Sequence, residues 1–303
     1  MKHVAIIDMG TNTFHLMLAS KQGRGFIIHH REKVPVKIGA GGINQGTITE
    51  EATERAIRTM KNFKKTIDEA GIQTVLAFGT SALRNARNGE AVAKKIEAAT
   101  SIKTQLISGL QEAEYIYKGI KAAIDLGNEK TLIMDIGGGS VEFIIGNSQK
   151  IFWSHSFEIG GQRLLEKFHR HDPISKEEVN MLFDFFCHEL PLLFAALQDH
   201  NPKTLIGSSG TFDTLSDIYC IKNNIPLSEA PETPFNISAF DEIYTDIVSK
   251  DRIARMQIPG MIEMRVDMIV VACCLIKFVL AQHSFGKLRV SSYSLKEGVL
   301  ASL

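Results

Sequence analysis

Two aspartates in matching sequence settings are the first candidates for chemistry. Residues 4–18 (VAIIDMGTNTFHLML) and 131–145 (TLIMDIGGGSVEFII) align without gaps, so that Asp8 meets Asp135. Each stretch is an apolar run that ends in aspartate, followed by a glycine-containing turn and a second apolar run. This pattern predicts a buried strand, a tight turn and a second strand, present twice in the chain.

The turns of this repeat have the composition of phosphate-binding loops. Glycine lets the backbone approach an anion closely, and a tight turn leaves N–H groups free to donate to it. A third such turn, 207–211 (GSSGT), follows a short apolar strand. The candidate phosphate-binding residues in the three turns are Thr11, Asn12, Thr13, Gly137, Gly138, Gly139, Ser140, Gly207, Ser208, Ser209, Gly210 and Thr211.

A single glycine-rich turn is weak evidence, because it can equally be a plain tight turn. Three of them after apolar strands, two being copies of each other, favour phosphate binding. None matches a Walker A loop, since no Lys-Ser/Thr pair follows.

The two aspartates predict a cation. A carboxylate at the end of a buried strand is costly unless it is paired or bound to a metal. A carboxylate ~4 Å from a phosphate would be repelled by about 4 kcal/mol at an effective dielectric constant of 20. Mg²⁺ prefers carboxylate, water and phosphate oxygens and is the expected cofactor. Capping of a turn is the alternative for each aspartate alone, but the symmetric pair favours metal or phosphate binding.

Alternating helices and strands follow each copy of the repeat. Thr47 and Glu50 predict a capping box before a long helix, and Ser175 and Glu178 predict a second one. The apolar stretch 264–280 is too short to span a membrane and predicts a buried core helix.

The organisation is therefore a duplicated α/β fold. We expect domains 1–126 and 127–303, with a closing helix near 294–303 as a candidate to pack back on the first domain.

Composition excludes several classes of protein. Lys plus Arg and Asp plus Glu both number 34, so no global basic field predicts binding to nucleic acid or to an anionic membrane. Apolar residues make up 44%, which is enough for two cores. The four cysteines show no CxxC or zinc spacing, and the N-terminus lacks a signal-peptide pattern. These features predict a cytoplasmic protein with reduced thiols.

The motifs together resemble those of the exopolyphosphatase and guanosine pentaphosphate phosphatase (Ppx/GppA) family. The resemblance rests on AIIDMGTNTFHL at the start, AFGTSALRNA (77–86), ISGLQEA (107–113), IMDIGGGSVE (133–142), IGSSGT (206–211) and LKEGVL (295–300). It implies two duplicated ribonuclease-H-like domains of the actin-like/sugar-kinase superfamily, with a cleft between them.

The resemblance also implies residue roles. Glu112 matches the family's catalytic glutamate, the general base toward the attacking water, and Glu142 matches a second acid that serves metal or water. Asp8 and Asp135 match metal-linked and phosphate-linked acids. The expected metal ligands are therefore Asp8, Asp135 and Glu142.

Two arginines are the remaining candidates, and each role has a plain alternative. Arg84 matches a phosphate-binding arginine, and Arg265 is a weaker candidate of the same kind. Without the resemblance, Arg84 would be read as a solvent-facing side chain and Glu112 as a helix-capping glutamate.

The chain departs from the family pattern at two places. Glu114 stands where the family often has arginine, and the closing turn is SSYSLKEG, residues 291–298, where an Asp-Gly often precedes Leu-Arg-Glu-Gly. The length matches the short two-domain members.

The resulting hypothesis is a Mg²⁺-dependent exopolyphosphatase that releases terminal phosphate from polyphosphate. The alternatives are a pppGpp 5'-phosphohydrolase, an actin-like or sugar-kinase-like ATPase, and a non-catalytic sensor of guanosine polyphosphates. The resemblance leaves a homodimer open as well.

Overall fold

The computed structural model describes residues 3–22 and 25–303 of the chain. The expectation about the N-terminus depends in part on Met1 and Lys2, which lie outside the described residues. The α/β class predicted from the sequence is confirmed, since helices and strands alternate along the described chain.

The strands form two mixed sheets with matching order. The strands are β1 (His3–Met9), β2 (Phe14–Gln22), β3 (Gly25–Val34), β4 (Thr74–Gly79), β5 (Thr104–Leu106), β6 (Thr131–Ile136), β7 (Val141–Gly146), β8 (Ile151–Phe157), β9 (Thr204–Ser208), β10 (Glu232–Thr233) and β11 (Lys287–Ser291). The first sheet has the order β3-β2-β1-β4-β5, and the second has β8-β7-β6-β9-β11 with β10 added at the edge. In both, the first three strands along the chain are antiparallel neighbours, and two later strands join in parallel, β4 and β5 in the first sheet and β9 and β11 in the second.

The sequence repeat corresponds to a structural repeat. The Gly10 amide donates to the Thr13 carbonyl at 3.1 Å in the β1–β2 turn, and the Gly137 amide donates to the Ser140 carbonyl at 3.0 Å in the β6–β7 turn. The two hairpins are thus the same turn built twice, which confirms the predicted duplication of the fold.

The helices pack on both faces of the sheets. They are α1 (Glu50–Glu69), α2 (Ser81–Asn85), α3 (Gly89–Thr100), α4 (Gly109–Ala123), α5 (Gly161–Phe168), α6 (Lys176–Glu189), α7 (Pro191–His200), α8 (Gly210–Lys222), α9 (Ile237–Val248), α10 (Arg252–Met256), α11 (Met268–Gln282) and α12 (Leu295–Ala301).

The helices α1 and α11 begin at other residues than the sequence predicted. The Thr49 side chain caps α1 by accepting from the Ala52 amide, so Thr47 is not the N-cap that the sequence predicted. The capping box between Ser175 and Glu178 is confirmed at α6. Helix α11 begins one turn later than expected, at Met268, and is almost wholly buried.

The two sheets share a middle layer. One apolar cluster joins β1 of the first sheet to β6 of the second through α4 and α12. The helices α4 and α12 lie so close that a side chain at Gly298 would collide with the Tyr115 carbonyl, and one at Gly119 would collide with the Ser294 carbonyl. The last helix of the chain is therefore held against a helix of the first half, which fixes the two sheets relative to each other.

Within the described residues, no single helix has the length and apolar composition to span a membrane, although the bent pair α6 and α7, at 67°, passes on those two criteria together.

Candidate active site

A cleft of about 460 Å³ lies between the two sheets, where the two repeated turns face each other. A side chain at Gly138 would run into Asn12 at 2.8 Å and Thr11 at 3.1 Å, so the turns are in direct contact across the cleft. Of the predicted site residues, the cleft is lined by Asp8, Thr11, Asn12, Thr13, Glu112, Asp135, Gly137, Gly138, Gly139, Ser140, Glu142, Ser209, Gly210 and Arg265. The predicted residues Arg84, Gly207, Ser208 and Thr211 do not line it.

The peptides of the β6–β7 turn are held in a fixed orientation from behind. The start of α5 donates three amides to its carbonyls: Gly160 to Gly139 at 3.1 Å, Gly161 to Gly137 at 2.9 Å and Gln162 to Gly138 at 2.8 Å. Because C=O and N–H point in opposite directions across a peptide, the amides that follow these carbonyls are turned away from α5 and toward the cleft. The turn therefore presents backbone donors suited to an anion.

The β1–β2 turn is supported in the same way. The Lys37 amide donates to the Asn12 carbonyl at 2.8 Å, and the Gly39 amide donates to the Thr11 carbonyl at 3.1 Å. Two polar atoms of this turn, Thr11 Oγ1 and Asn12 Oδ1, are buried and lack a hydrogen-bond partner among the described residues. Buried polar atoms without a partner are rare and often mark the place of a ligand or water.

The third predicted loop, residues 207–211, holds Asp135 by hydrogen bonds and leads into α8. Its hydroxyls hold Asp135: Ser209 Oγ donates to Oδ1 at 2.7 Å, and Ser208 Oγ donates to Oδ2. Gly207 faces the ring of Phe212, so a side chain there would collide with the core. Ser209 has a φ of +71° at the N-cap of α8, which lets the chain enter the helix at the cleft. Thr211 is buried in the first turn of α8.

Glu112 is buried and carries an ion pair. The helix that contains it, α4, is capped by Ser108 and Gln111 in a reciprocal capping box, so Glu112 is not the capping residue that its position allows. Its Oε2 accepts instead from Arg84 Nη1 at 2.7 Å. Burial and the nearby carboxylate of Glu142 raise the pKa of Glu112 well above its ordinary value, although Arg84 partly offsets this. The group is a carboxylate whose proton affinity has been increased, as a general base requires.

Glu142 has neutral partners. Ser140 Oγ and Ser156 Oγ both donate to its Oε1 at 2.7 Å. Burial and the charge of Asp135 raise the pKa of Glu142 to about 8. In the repeat, Glu142 occupies the position that His15 has in the first copy, since they pair with Asp135 and Asp8 on the neighbouring strand.

Asp8 and Lys296 form the charged floor of the cleft. Burial and the charges of Asp135 and Glu297 raise the pKa of Asp8 to about 6, against the opposing effect of Lys296. Burial alone would lower the pKa of Lys296, but the carboxylates of Glu297, Asp8, Asp213 and Asp135 raise it. Lys296 thus stays protonated and offsets part of the negative charge.

A second basic group lies at the start of α8. Arg265 is in contact with Gly210, where any side chain would overlap the guanidinium. Lys33 from β3 lies 3.9 Å from Asp213, and both line the cleft with Arg265. Burial raises the pKa of Asp213 to about 6 although Lys33 and Arg265 oppose it. This side of the cleft can therefore attract a polyanion.

Comparison with known proteins identifies the family of this chain. The profile of the Ppx/GppA phosphatase family matches residues 17–303. The chain belongs to the Ppx/GppA phosphatase family. The resemblance drawn from the motifs is thereby confirmed.

Individual Ppx/GppA members match over different lengths. The chain is 25% identical to a putative exopolyphosphatase of Haemophilus influenzae over all of its length and 91% of that protein. It is 26% identical to a guanosine-5'-triphosphate,3'-diphosphate pyrophosphatase of Photobacterium profundum over 85% of this chain but only 50% of that protein, so it spans half of that relative. The crystal structure of an exopolyphosphatase from Cytophaga hutchinsonii is 42% identical and superposes with a TM-score of 0.96, covering 99% of this chain and 97% of that one.

The predicted metal ligands of this Ppx/GppA chain, Asp8, Asp135 and Glu142, all line the cleft, but they do not form a complete coordination shell. No three His, Cys, Asp or Glu side chains in residues 3–22 and 25–303 come together closely enough to hold an ion by themselves. Asp135 already accepts three hydroxyl bonds, from Ser208, Ser209 and Ser294. Asp8 and Glu142 have their pKa raised by burial and by the charge of Asp135, so a cation would relieve them. The donor set fits Mg²⁺, which commonly takes one or two carboxylates and completes its shell with water and substrate phosphate.

Sequence reasoning missed several residues of the site. Ser294 and Lys296 belong to the closing turn, whose departure from the family pattern hid the hydrogen bond from Ser294 to Asp135 and the charge of Lys296 that lowers the pKa of Asp8. Lys33 and Asp213 carry no motif signal at all. Glu114, the other departure, is exposed and pairs with Lys118 at 2.7 Å.

Proposed function

We propose that this protein is an exopolyphosphatase that hydrolyses the terminal phosphate of inorganic polyphosphate and releases orthophosphate. The observation that carries the proposal is the buried carboxylate of Glu112, which faces a cleft lined by the two opposed turns. Backbone amides aimed into a cleft suit phosphate oxygens, and a raised-pKa carboxylate beside them suits activation of water. Membership of a phosphatase family and the match to exopolyphosphatases agree with this chemistry.

The reaction is in-line attack of water on the terminal phosphorus. Glu112 accepts a proton from the attacking water, the new P–O bond forms, and the bond to the bridging oxygen of the shortened chain breaks. Of the two buried glutamates, Glu112 is the better candidate for the ionised form, because it pairs with the Arg84 guanidinium while Glu142 receives bonds from neutral hydroxyls. Glu142 is then protonated as long as no cation is bound, and it loses this proton when a cation binds.

The turns serve binding and orientation. The amides after the carbonyls of Gly137, Gly138 and Gly139 donate to the oxygens of the terminal phosphate and the leaving chain. Thr11, whose Oγ1 has no partner among the described residues, and Thr13 add hydroxyls, and Lys296 and Arg265 balance the charge of the following phosphates. Most of the acceleration in phosphoryl transfer comes from such positioning and electrostatic stabilisation.

Mg²⁺ is the proposed cofactor. Asp8 and Glu142 would hold it, while Asp135 orders the serines of the third loop. When bound, it would neutralise phosphate charge that these carboxylates otherwise repel.

The second candidate substrate is pppGpp, favoured by the similarity to the Photobacterium profundum enzyme. Both substrates end in the same phosphoanhydride, so the same turns and the same base would act on either.

The test is orthophosphate release with Mg²⁺ from long polyphosphate, tripolyphosphate, pppGpp and ATP, compared by kcat/KM. We expect the highest value on polyphosphate and loss of activity in excess EDTA. Preference for pppGpp would make the protein an alarmone phosphatase. Release from ATP alone would support an ATPase, and no release from any substrate would support a sensor. Full activity in EDTA would remove Mg²⁺ from the account.

A further inference from the structure

An ionic chain joins the two halves of the molecule beside the cleft. Arg84, from α2 in the first half, has its guanidinium divided between two carboxylates. Nη1 donates to Glu112 at 2.7 Å, and Nη2 donates to Glu158 of the second half at 3.2 Å. Nη1 also donates to the Ile107 carbonyl at 3.1 Å, which fixes the plane of the guanidinium.

The chain continues from Glu158 to the glycine-rich turn. The second oxygen of Glu158 accepts from Ser81 Oγ at 2.6 Å and from Arg163 Nη2 at 3.0 Å. Arg163 uses its remaining nitrogens on backbone carbonyls: Nε donates to Gly139 at 2.8 Å and Nη1 to Ile43 at 2.9 Å. One arginine therefore contacts the phosphate-binding turn, a turn of the opposite half and the carboxylate that orients Arg84.

We propose that Glu158 and Arg163 are positioning residues through which the second half fixes the orientation of Glu112 in the first half. Neither side chain lines the cleft, so we expect neither to touch substrate. The Arg163 contact to Ile43 and the Glu158 contacts to Ser81 and Arg84 join the second half to the first, and the contact to Arg84 orients its guanidinium toward Glu112. This inference rests on the proposed role of Glu112 as general base.

An ordinary surface ion pair would not have this effect. Exposed pairs contribute little, because water screens them and two long side chains must be ordered. Here Glu158 is 39% exposed, but the side chains of Arg84 and Arg163 are only 16% exposed, and both arginines are anchored to carbonyls. The pair between Arg289 and Glu232 offers a matched control, since its side chains are 29% and 41% exposed and it joins the edge strand β10 to its neighbour β11, away from the cleft.

The first experiment measures kcat and KM for polyphosphate with Glu158→Gln, and with Glu232→Gln as the control. Glutamine keeps the shape of Glu158 but removes the charge that divides Arg84 between two carboxylates. We expect kcat to fall about tenfold with KM changed less than about threefold, since misplacement of a reacting group affects mainly the chemical step. Both variants should keep the parental Tm. Equal kinetics for Glu158→Gln and Glu232→Gln would overturn the inference.

The second experiment asks whether Glu158 acts through Arg84. Glu158→Gln is added to Arg84→Met, and we expect a further change in kcat of less than about twofold, because residues that act as one unit are not additive. Independent, multiplying losses would contradict the inference. Should Glu158→Gln lower the Tm, Arg163→Lys replaces it in the test. Lysine keeps the charge of Arg163 but loses the guanidinium fork that reaches Gly139 and Ile43. Arg163→Lys must then lower kcat in the parent and have no further effect on kcat in the Arg84→Met background. An inactive wild-type protein would contradict the proposed function, whereas an active one with unaffected variants would contradict this inference alone.

Discussion

At the scale of single residues, the two buried glutamates of the site, Glu112 and Glu142, differ in their hydrogen-bond partners. Glu112 meets a guanidinium, and Glu142 meets two hydroxyls. Burial raises the pKa of both glutamates. The charge of a neighbouring acid raises it further, that of Glu142 for Glu112 and that of Asp135 for Glu142. Different partners for similar groups are a common way to divide acid and base roles within one site.

The pH dependence of catalysis follows from these shifts. Glu112 works as a base only when it is ionised, and its pKa is raised, so activity must be lost as pH falls through that raised value. We expect the acidic limb of kcat/KM to lie well above the ordinary glutamate pKa of about 4.3. Arg84→Met should move this limb to higher pH, because Arg84 lowers the pKa of Glu112.

The measurement is kcat/KM for polyphosphate as a function of pH in the parent and in Arg84→Met, with Glu232→Gln as a variant that should not move the limb. A parent profile that stays flat down to pH 5 would show that no raised carboxylate controls the reaction.

At the scale of elements, the contact between α4 and α12 sets the spacing of the two sheets. Glycines at 119 and 298 let the helix backbones approach, and α4 carries Glu112 while the turn before α12 carries Ser294. The position of the base and one of the contacts of Asp135 therefore depend on the same helix pair.

Gly298→Ala tests this contact. Alanine would gain up to about 1 kcal/mol of helix propensity over glycine. The new methyl group, however, would overlap the Tyr115 carbonyl, and overpacking of this kind costs about 1–3 kcal/mol. We expect a net loss of stability, read as a lower midpoint of urea unfolding. Gly286→Ala is the control, because the nearest atom to its methyl group, the Lys203 carbonyl oxygen, would lie 3.7 Å away. A more stable Gly298→Ala variant would mean that the helices can separate at no cost.

The sequence predicted the elements better than their contacts. The hairpins around Asp8 and Asp135 were predictable because apolar runs, an aspartate and glycines follow in fixed local order. The start of α1 was not, since Glu50 three residues after Thr47 favours a capping box there, whereas the structure begins the helix after Thr49. Ser294 and Lys296 could not be found, because 159 residues separate Ser294 from Asp135, its hydrogen-bond acceptor, and Lys296 is still farther along the chain from Asp8, whose pKa it lowers. The boundary at residue 126 stays a prediction.

At the scale of the whole molecule, duplication explains where the site is. Two copies of one sheet stand face to face across a shared apolar layer, and the matching turn of each copy reaches the same cleft. Each copy contributes backbone donors, while the acid set is unequal, since Glu142 corresponds to His15. Burial lowers the pKa of His15 well below its ordinary value, so it is neutral at pH 7. The second half thus supplies a carboxyl group that ionises when a cation binds, where the first half supplies a neutral imidazole.

The most direct test of the account is orthophosphate release from polyphosphate by Glu112→Gln, measured beside the parent and Glu114→Gln. Glu114 lies on the same helix but is exposed and pairs with Lys118, so its replacement controls for the helix itself. We predict that Glu112→Gln loses roughly 10²–10⁴ in kcat, the typical contribution of a positioned base, while Glu114→Gln keeps the parental rate. A Glu112→Gln variant that hydrolyses polyphosphate at near the parental rate would contradict the central claim.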